Sequence, residues 1–237
     1  IPSIESLFTY VSDPAWKRAP LGYNIGIAGL AMPTDPAIKK QVLDATKGFL
    51  KAWDPVAQKE VWSVPLAGMW NGGVLSTGGG LVFQGSSDGA FSAYDATSGN
   101  KLWSFAAQAG VLASPVSFAV GDQQFIAVVV GWGGAAIAGC DTLDKGALHG
   151  NRSRVLAFKL GGTAQLPAAP PPPVPQTPPP PRFGDAALNT QGETTFHMYC
   201  SACHGNSAVS AGSVTPDLRW SKAIASAEIW TKVVIDG

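Results

Sequence analysis

The chain has 237 residues, of which 46% are hydrophobic and 14% are charged, so it can bury a sizeable core and is not a disordered protein. Sixteen basic residues balance sixteen acidic ones, and the charge therefore gives no indication of a nucleic-acid partner or an anionic membrane surface. Three cysteines exclude a disulfide scaffold, and no apolar run approaches the length of a membrane span.

Residues 1–47 are rich in proline, glycine and aromatic residues, and we predict that they are irregular apart from one short helix. Asp35 and Pro36 are typical of an N-cap and a first helical residue. Three apolar residues would share one face of this helix: Ile38, Val42 and Leu43. Gly48 would end the helix, which we expect to cover the edge of a sheet.

From Gly48 onward, short runs of β-branched and aromatic residues are broken by glycine, a pattern that predicts a series of short strands. The predicted strands are Gly48–Trp53, Glu60–Pro65, Leu81–Gln84, Ala90–Tyr94, Lys101–Phe105, Pro115–Ala119, Phe125–Val130 and Val155–Lys159. Because no long helix separates them, we expect antiparallel sheets.

A repeat favours one all-β architecture. The pattern Ala-x-Asp-x-x-x-Gly-x-x-x-Trp occurs at residues 52–62 and again 41 residues later, at residues 93–103, with Gln58 in place of the glycine in the first copy. A period near forty residues that contains only strands is typical of β-propeller blades, each of about four strands.

The repeat has a simple physical interpretation. A strand ends at the aspartate, whose side chain binds the amides of a tight turn, and glycine supplies the positive φ that the turn needs. The tryptophan on the next strand would then lie flat between neighbouring blades. We therefore expect Asp54 and Asp95 to be structural rather than catalytic.

A proline-rich segment divides the chain, since ten of its nineteen prolines lie between Pro167 and Pro181. Such a segment prefers polyproline II and, at about 3.1 Å per residue, could span on the order of 45 Å as a semi-rigid spacer. We predict three parts: a β domain over residues 1–162, a linker over residues 163–183 and a second domain over residues 184–237. A role as a ligand for proline-recognising modules is the less favoured interpretation.

The second domain contains the sequence Cys200-Ser-Ala-Cys203-His204, preceded by a predicted helix over Thr190–Tyr199. This is the attachment pattern of a c-type haem: the two thiols add to the porphyrin vinyl groups and the imidazole binds the iron. A redox dithiol would not need the histidine, and a zinc site would need two further ligands, which the one other cysteine, Cys140, can hardly supply. Because haem c is normally attached outside the cytoplasm, we expect a periplasmic protein.

The repeat resembles the tryptophan-docking motif of the dehydrogenases that depend on pyrroloquinoline quinone (PQQ). With Met69-Trp-Asn-Gly-Gly73, Gly131-Trp-Gly-Gly134, the proline linker and the haem motif in that order, the chain resembles the C-terminal part of quinohaemoprotein alcohol dehydrogenases. The resemblance implies a mainly β fold with about the last two blades of an eight-bladed propeller, followed by part of an α-helical class I cytochrome c domain. We therefore expect the chain to be a fragment.

The resemblance also implies three cofactors: PQQ, Ca²⁺ and haem c. Six residues are candidates for the vicinity of PQQ: Trp70, Asn71, Trp132, Gly133, Gly134 and Ala135. Without the resemblance, both tryptophans would be interpreted as core residues, because tryptophan serves blade packing elsewhere in the chain. No position matches the family's calcium ligands or catalytic base, so we predict no catalytic residue here and no activity for the fragment alone.

The haem would take His204 as one axial ligand, and the family takes a methionine as the other. Met198 lies on the attachment helix, and the remaining methionines, Met32 and Met69, lie in the β part, so we expect this ligand beyond Gly237. His197 is a rival ligand that we assign to packing or to the surface.

The implied reaction is the oxidation of an alcohol, with electrons leaving singly through the haem. The acceptor would be a blue-copper protein, a cytochrome or a membrane quinone. The alternatives are a non-enzymatic electron carrier, a propeller binding module, and a PQQ enzyme that acts on another substrate such as a sugar. Quinone-dependent alcohol oxidation by the full-length protein would exclude the first two.

Overall fold

The structure, a computed structural model, describes residues 1–6, 14–18, 35–131, 152–169, 185–200, 204, 208, 218 and 221–236. Ten β-strands lie in these ranges: β1 (Pro2–Glu5), β2 (Lys47–Asp54), β3 (Lys59–Leu66), β4 (Asn71–Ser76), β5 (Leu81–Ser86), β6 (Ala90–Asp95), β7 (Lys101–Ala106), β8 (Val116–Val120), β9 (Gln123–Val130) and β10 (Arg154–Phe158). They form three sheets of orders β1-β2-β3, β4-β5-β6-β7 and β10-β9-β8, which we call the first, second and third sheet. All strand pairs in them are antiparallel, as predicted.

All eight predicted strands are confirmed to within about two residues at their ends, but two strands were not predicted. Strand β1 lies in the region that we expected to be irregular, and it pairs with β2 in the register Pro2↔Leu50. It is an edge strand, where a first residue without an N–H group can be accommodated. Strand β4 contains two adjacent glycines, which weakened the strand pattern in the sequence.

Helix α1 (Pro36–Ala45) is confirmed, including its N-cap, because the Asp35 carboxylate accepts hydrogen bonds from the backbone N–H groups of residues 37 and 38. The helix ends at Ala45, before Gly48, and Gly48 lies in β2 as the predicted strand Gly48–Trp53 requires; a Cβ atom there would be 2.0 Å from the Gly68 carbonyl oxygen. The predicted apolar face is only partly buried, since Val42 is 7% exposed and Ile38 is 49% exposed. The side chain of Leu43 is not among those described.

The core lies between the second and third sheets. Alternation along the strands directs one face of the second sheet toward the third. The buried cluster joins Phe91, Ala107, Ala109 and Val111 to Ile126, Val128 and Val130. The Phe91 ring lies 5.4 Å from that of Phe158 on β10, so aromatic packing connects the two sheets.

The opposite face of the second sheet is more polar. Gln84, Ser92 and Tyr94 are each 2% exposed there, and the hydroxyl groups of Ser92 and Ser104 are 2.9 Å apart. The Ser92–Ser104 hydrogen bond and the one from Gln84 Nε2 to the Gly72 carbonyl oxygen both lie within the second sheet, so these buried polar groups connect neighbouring strands of that sheet.

Both turns of the sequence repeat have the predicted geometry. The Asp54 carboxylate accepts hydrogen bonds from the N–H groups of residues 56 and 57, and the Asp95 carboxylate accepts from those of Thr97 and Ser98. Gly99 has a φ of +75° and Gln58, at the equivalent position, has a φ of +51°. Both predicted structural aspartates are confirmed.

The predicted tryptophan contact between sheets is confirmed for the first copy of the repeat. Trp62 on β3 donates a hydrogen bond from Nε1 to the Ala96 carbonyl oxygen (3.0 Å), which belongs to the turn after β6 in the second sheet. A Cβ atom on Gly99 of that turn would be 2.7 Å from the indole ring. The ring therefore lies directly on the glycine, and the turn of one sheet receives the tryptophan of the preceding one.

The hydrogen bonds of Asp95 predict a pH dependence. Backbone and hydroxyl donors of Ser98 and the N–H of Thr97 lower the pKa of the Asp95 carboxyl below its ordinary value of 3.8. The stabilisation by Asp95 is therefore fully present above that value and is lost as the pH falls through the lower pKa of the folded state. We expect Asp95→Asn to reduce the loss of thermal stability below about pH 4, measured by calorimetry across that range. An unchanged pH profile would contradict this.

Beyond the β part, the described residues are helical. Helix α2 spans Ala186–Tyr199, with the Asp185 side chain accepting a hydrogen bond from the N–H of Leu188, and thus confirms the predicted helix before the haem motif. A 3₁₀ turn (Lys222–Ala225), helix α3 (Ala227–Thr231) and a π-helical turn (Lys232–Asp236) follow. Among the described helices, none combines the length and the apolar character that crossing a membrane requires.

Candidate cofactor sites

Trp70 and Asn71 lie at the entry to β4, between the first and second sheets. Asn71 donates a hydrogen bond from Nδ2 to the Gly68 carbonyl oxygen (2.8 Å). Its Oδ1 atom is buried and has no hydrogen-bond partner among the described residues. A buried amide oxygen of this kind is the group that a polar ligand or an ordered water would satisfy.

Gln84 lies on the same face of the second sheet as Ser86, the strand partner of Asn71, and the sequence analysis did not predict it as a site residue. Its Nε2 donates to the Gly72 carbonyl oxygen (3.0 Å), and its Oε1, like that of Asn71, is buried without a hydrogen-bond partner in the described part of the chain. Asn71 pairs with Ser86, and alternation along β5 places residues 84 and 86 on one face. The only sequence signal was an amide within the apolar run that begins at Leu81.

The glycines of the Trp70-Asn-Gly-Gly motif have a packing role. A Cβ atom on Gly72 would be 2.7 Å from the Val111 carbonyl oxygen, and one on Gly73 would be 1.8 Å from the Ser114 hydroxyl. The register shifts between Asn71 and Val74, which indicates a bulge at these glycines. Close approach of residues 111–114 to β4 thus requires both glycines.

The second predicted motif begins beside the first. The N–H of Gly131 donates to the Gly110 carbonyl oxygen (2.8 Å), and Gly131 forms an isolated bridge with Val111. Val111 in turn packs on Gly72 and Gly85. The start of the Gly131 motif and the Asn71 motif therefore lie on two sides of one buried residue.

Four predicted PQQ-vicinity residues, Trp132, Gly133, Gly134 and Ala135, lie outside the described residues, as does Cys140. Their placement stays a prediction. Of the PQQ candidates, only Trp70 and Asn71 have a described environment, in which Trp70 is half-buried next to the fully buried Gly68 and Met69.

Backbone hydrogen bonds connect the end of helix α2 to Cys200, and Cys200 to His204. The N–H of Cys200 donates to the Phe196 carbonyl oxygen (2.8 Å), and the N–H of His204 donates to the Cys200 carbonyl oxygen (2.9 Å). Residues four apart in helical geometry lie on the same face, so Cys200 and His204 are neighbours. Cys200 is a half-buried free thiol, and Cys203 lies outside the described residues. A free thiol one turn before an imidazole fits a covalently attached haem whose iron binds the histidine.

Comparison with known proteins identifies the β part. Residues 32–126 match the family model described as PQQ glucose/ethanol/alcohol dehydrogenase, beta-propeller domain. The resemblance that the sequence motifs predicted is thereby confirmed for these residues. They include Trp62 and Gly99, which form the docking contact between the first and second sheets.

The similarity to such proteins extends over nearly the whole chain. The alcohol dehydrogenase (quinone), dehydrogenase subunit, of Gluconacetobacter polyoxogenes is 38% identical over 241 residues, which cover 99% of this chain and 32% of the relative. Quinohemoprotein alcohol dehydrogenase ADH IIB of Pseudomonas putida is 41% identical over 89% of this chain and 30% of its own length. The chain thus spans about a third of the length of these relatives.

A solved structure agrees with the sequence comparison. The quinohemoprotein alcohol dehydrogenase ADHIIG from Pseudomonas putida HK5 superimposes with a TM-score of 0.79 at 40% identity, covering 93% of this chain and 32% of that one. The mainly β, antiparallel fold of the PQQ-propeller part is thus shared with this structure.

Proposed function

We propose that this chain is part of a periplasmic quinohaemoprotein alcohol dehydrogenase, which oxidises an alcohol with PQQ and Ca²⁺ and passes the electrons one at a time through a haem c. The observation that carries the proposal is the presence, in one chain, of the tryptophan-docking contact between sheets and of the backbone hydrogen bond from His204 to Cys200. The docking contact is a feature of propellers, and the contact between Cys200 and His204 suits a covalently attached haem. An electron path from a quinone to a haem needs both parts.

The chain would contribute one part of the PQQ environment. When bound, PQQ supplies a quinone that accepts a hydride equivalent, which is two electrons and one proton, from the alcohol. Trp70 would offer an aromatic surface to the planar cofactor, and Asn71, with its unsatisfied buried oxygen, would offer a hydrogen-bonding group. Trp132 to Ala135 would complete this side of the site. We assign the calcium ligands and the catalytic base to no residue of this chain.

The chain would also hold the haem. Cys200 and Cys203 would form the two thioether bonds, and His204 would bind the iron through a ring nitrogen. The backbone hydrogen bond from His204 to Cys200 keeps these two residues close together. An electron acceptor outside the chain, of the blue-copper, cytochrome or quinone class, would then reoxidise the haem.

Replacing Asn71 with alanine is expected to weaken PQQ binding by about tenfold, the factor that follows from one lost buried hydrogen bond. The measurement is titration of the calcium-loaded apoprotein with PQQ, followed by quenching of tryptophan fluorescence. The matched control is Asn100→Ala, which changes an exposed asparagine on the turn after β6 and should leave the dissociation constant unchanged. Equal affinities of the Asn71 variant and the native protein would contradict this assignment.

The activity itself is tested by loading the full-length protein with PQQ and Ca²⁺ and following alcohol-dependent reduction of a dye. The substrate panel should be broad, because similar proteins include one named 1-butanol dehydrogenase (cytochrome c) and one named lupanine 17-hydroxylase [cytochrome c]. We expect primary alcohols to be oxidised. Failure of every alcohol in a protein that has bound PQQ would refute the proposed activity.

A further inference from the structure

The residues that follow β10 contain the start of the proline-rich linker and lead away from the third sheet. After Phe158 the chain turns, with the N–H of Gly162 donating to the Lys159 carbonyl oxygen (3.0 Å) and Gly161 at a φ of +75°. Residues 163–169 then continue without regular secondary structure. The turn ends the third sheet, and the following residues could leave the β part in any direction unless something holds them.

Gln108 is the side chain that holds them. Its Nε2 donates a hydrogen bond to the Pro167 carbonyl oxygen (2.9 Å), and its Oε1 accepts one from Nη1 of Arg154, the first residue of β10 (3.4 Å). Since an arginine side chain only donates, it must face the amide oxygen, and the amide nitrogen is thereby directed to Pro167. One glutamine thus connects the second sheet's final loop, the start of β10 and the linker.

The backbone that carries Gln108 is firmly held. Its neighbours Ala107 and Ala109 are both 0% exposed, and the N–H of Ala107 donates to the Gly89 carbonyl oxygen (2.7 Å). Gln108 itself has a φ of +64°, an uncommon value for a residue other than glycine, which persists where the surroundings determine the backbone. The side chain is therefore presented from a rigid base, as an anchor requires.

We propose that Gln108 is an anchor that fixes where the linker leaves the β part. Residues 163–167 then belong to the β part, and the linker begins at Ala168 rather than after residue 162, the boundary that composition predicts. This inference rests on the two-domain organisation in the proposed function. Its consequence is a shorter linker and a fixed point at which the chain leaves the β part.

The anchor is tested by limited proteolysis of the full-length protein with elastase, which cleaves after small residues in locally unfolded chain. Ala164 lies before the anchored Pro167, and Ala168 lies after it. In the native protein we expect cleavage after Ala168 to be faster than cleavage after Ala164, with both sites identified by mass spectrometry.

Two variants distinguish the effect of the hydrogen bond to Pro167 from the effect of the size of the Gln108 side chain. Gln108→Ala removes both contacts, whereas Gln108→Glu keeps the size and the acceptor for Arg154 but has no donor for the Pro167 carbonyl. Both should speed cleavage after Ala164 by about fivefold, the factor for one neutral hydrogen bond. The matched control, Gln124→Ala, removes a glutamine that bonds to the Ser117 hydroxyl (2.8 Å) and should change nothing.

Unchanged cleavage after Ala164 in both Gln108 variants would overturn the anchor, and so would an effect of Gln108→Ala without one of Gln108→Glu. Proteolysis requires neither alcohol nor turnover. A failure of the anchor would therefore leave the proposed activity standing, and a failure of alcohol oxidation would leave the proteolysis result standing.

Discussion

Replacing Gly99 with alanine is expected to destabilise the propeller part by about 2–4 kcal/mol, the sum of left-handed backbone strain and overpacking. The new Cβ atom would be 2.7 Å from the Trp62 ring, and the residue has a φ of +75°. Relaxation would displace the indole and weaken its hydrogen bond to the Ala96 carbonyl oxygen. Denaturant titration of the protein, followed by tryptophan fluorescence, measures the change in the free energy of unfolding.

The control is the reciprocal change in the other copy of the repeat. Gln58 has a φ of +51° and is exposed, so Gln58→Gly removes strain without changing a tryptophan contact and should stabilise by about 1 kcal/mol. Gly99→Ala should therefore lower the free energy of unfolding, whereas Gln58→Gly should raise it. If Gly99→Ala is as stable as the native protein, the docking contact does not contribute to stability as we describe.

Replacing both Cys200 and Cys203 with alanine is expected to abolish covalent haem attachment and, with it, electron transfer to the protein's natural acceptor class. Dye-linked alcohol oxidation should persist, because a small dye takes electrons from the quinone directly. Haem-stained denaturing gels measure attachment, and parallel assays with a dye and with a protein acceptor measure the two activities. The control is Cys140→Ala, which lies outside the motif and should keep the stain.

His204→Ala separates attachment from ligation. We expect the haem to stay bound through its thioethers but to lose an axial ligand of the iron, which changes its visible spectrum and its reduction potential. Retention of the haem stain in the double cysteine variant, or an unchanged spectrum in the His204 variant, would contradict the assignment.

The turns of the fold could be predicted from residues that are close together in the sequence. Asp54, Asp95 and Gly99 could be placed from one sequence pattern because an aspartate at a strand end and a residue of positive φ determine a turn with few other requirements. The same pattern predicted that Gln58 would adopt a left-handed conformation, which the structure confirms. Such features depend on residues within about ten positions, so the sequence alone contains them.

The two tryptophans of the repeat proved less alike than the pattern predicted. Trp62 lies on the glycine of a turn, whereas Trp103 is 39% exposed and contacts the Phe158 ring edge-on at 5.3 Å. The turn after β10 has Lys159 where the repeat has aspartate and Thr163 where it has glycine, and its left-handed residue, Gly161, lies two positions before the glycine of the repeat. Trp103 therefore lacks a matching turn there, a difference that was visible only after the third sheet was placed.

Features that depend on distant pairing could not be predicted. Strand β1 pairs with a strand more than forty residues away, and nothing within its four residues indicates this. Gln84 and Gln108 acquire their roles from carbonyl groups of other elements, Gly72 and Pro167. For the candidate site, the sequence supplied Asn71 and Cys200, while the buried amide oxygens and the shared contact at Val111 required the three-dimensional arrangement.

The most direct measurement is reduction of the haem by alcohol in the full-length protein loaded with PQQ and Ca²⁺, without dye or oxygen, followed by visible absorption. We expect the oxidised haem to be reduced after alcohol is added, and we expect no reduction without PQQ or in the double Cys200 and Cys203 variant. A haem that stays oxidised while the same sample oxidises alcohol with a dye would contradict electron transfer from the quinone to this haem.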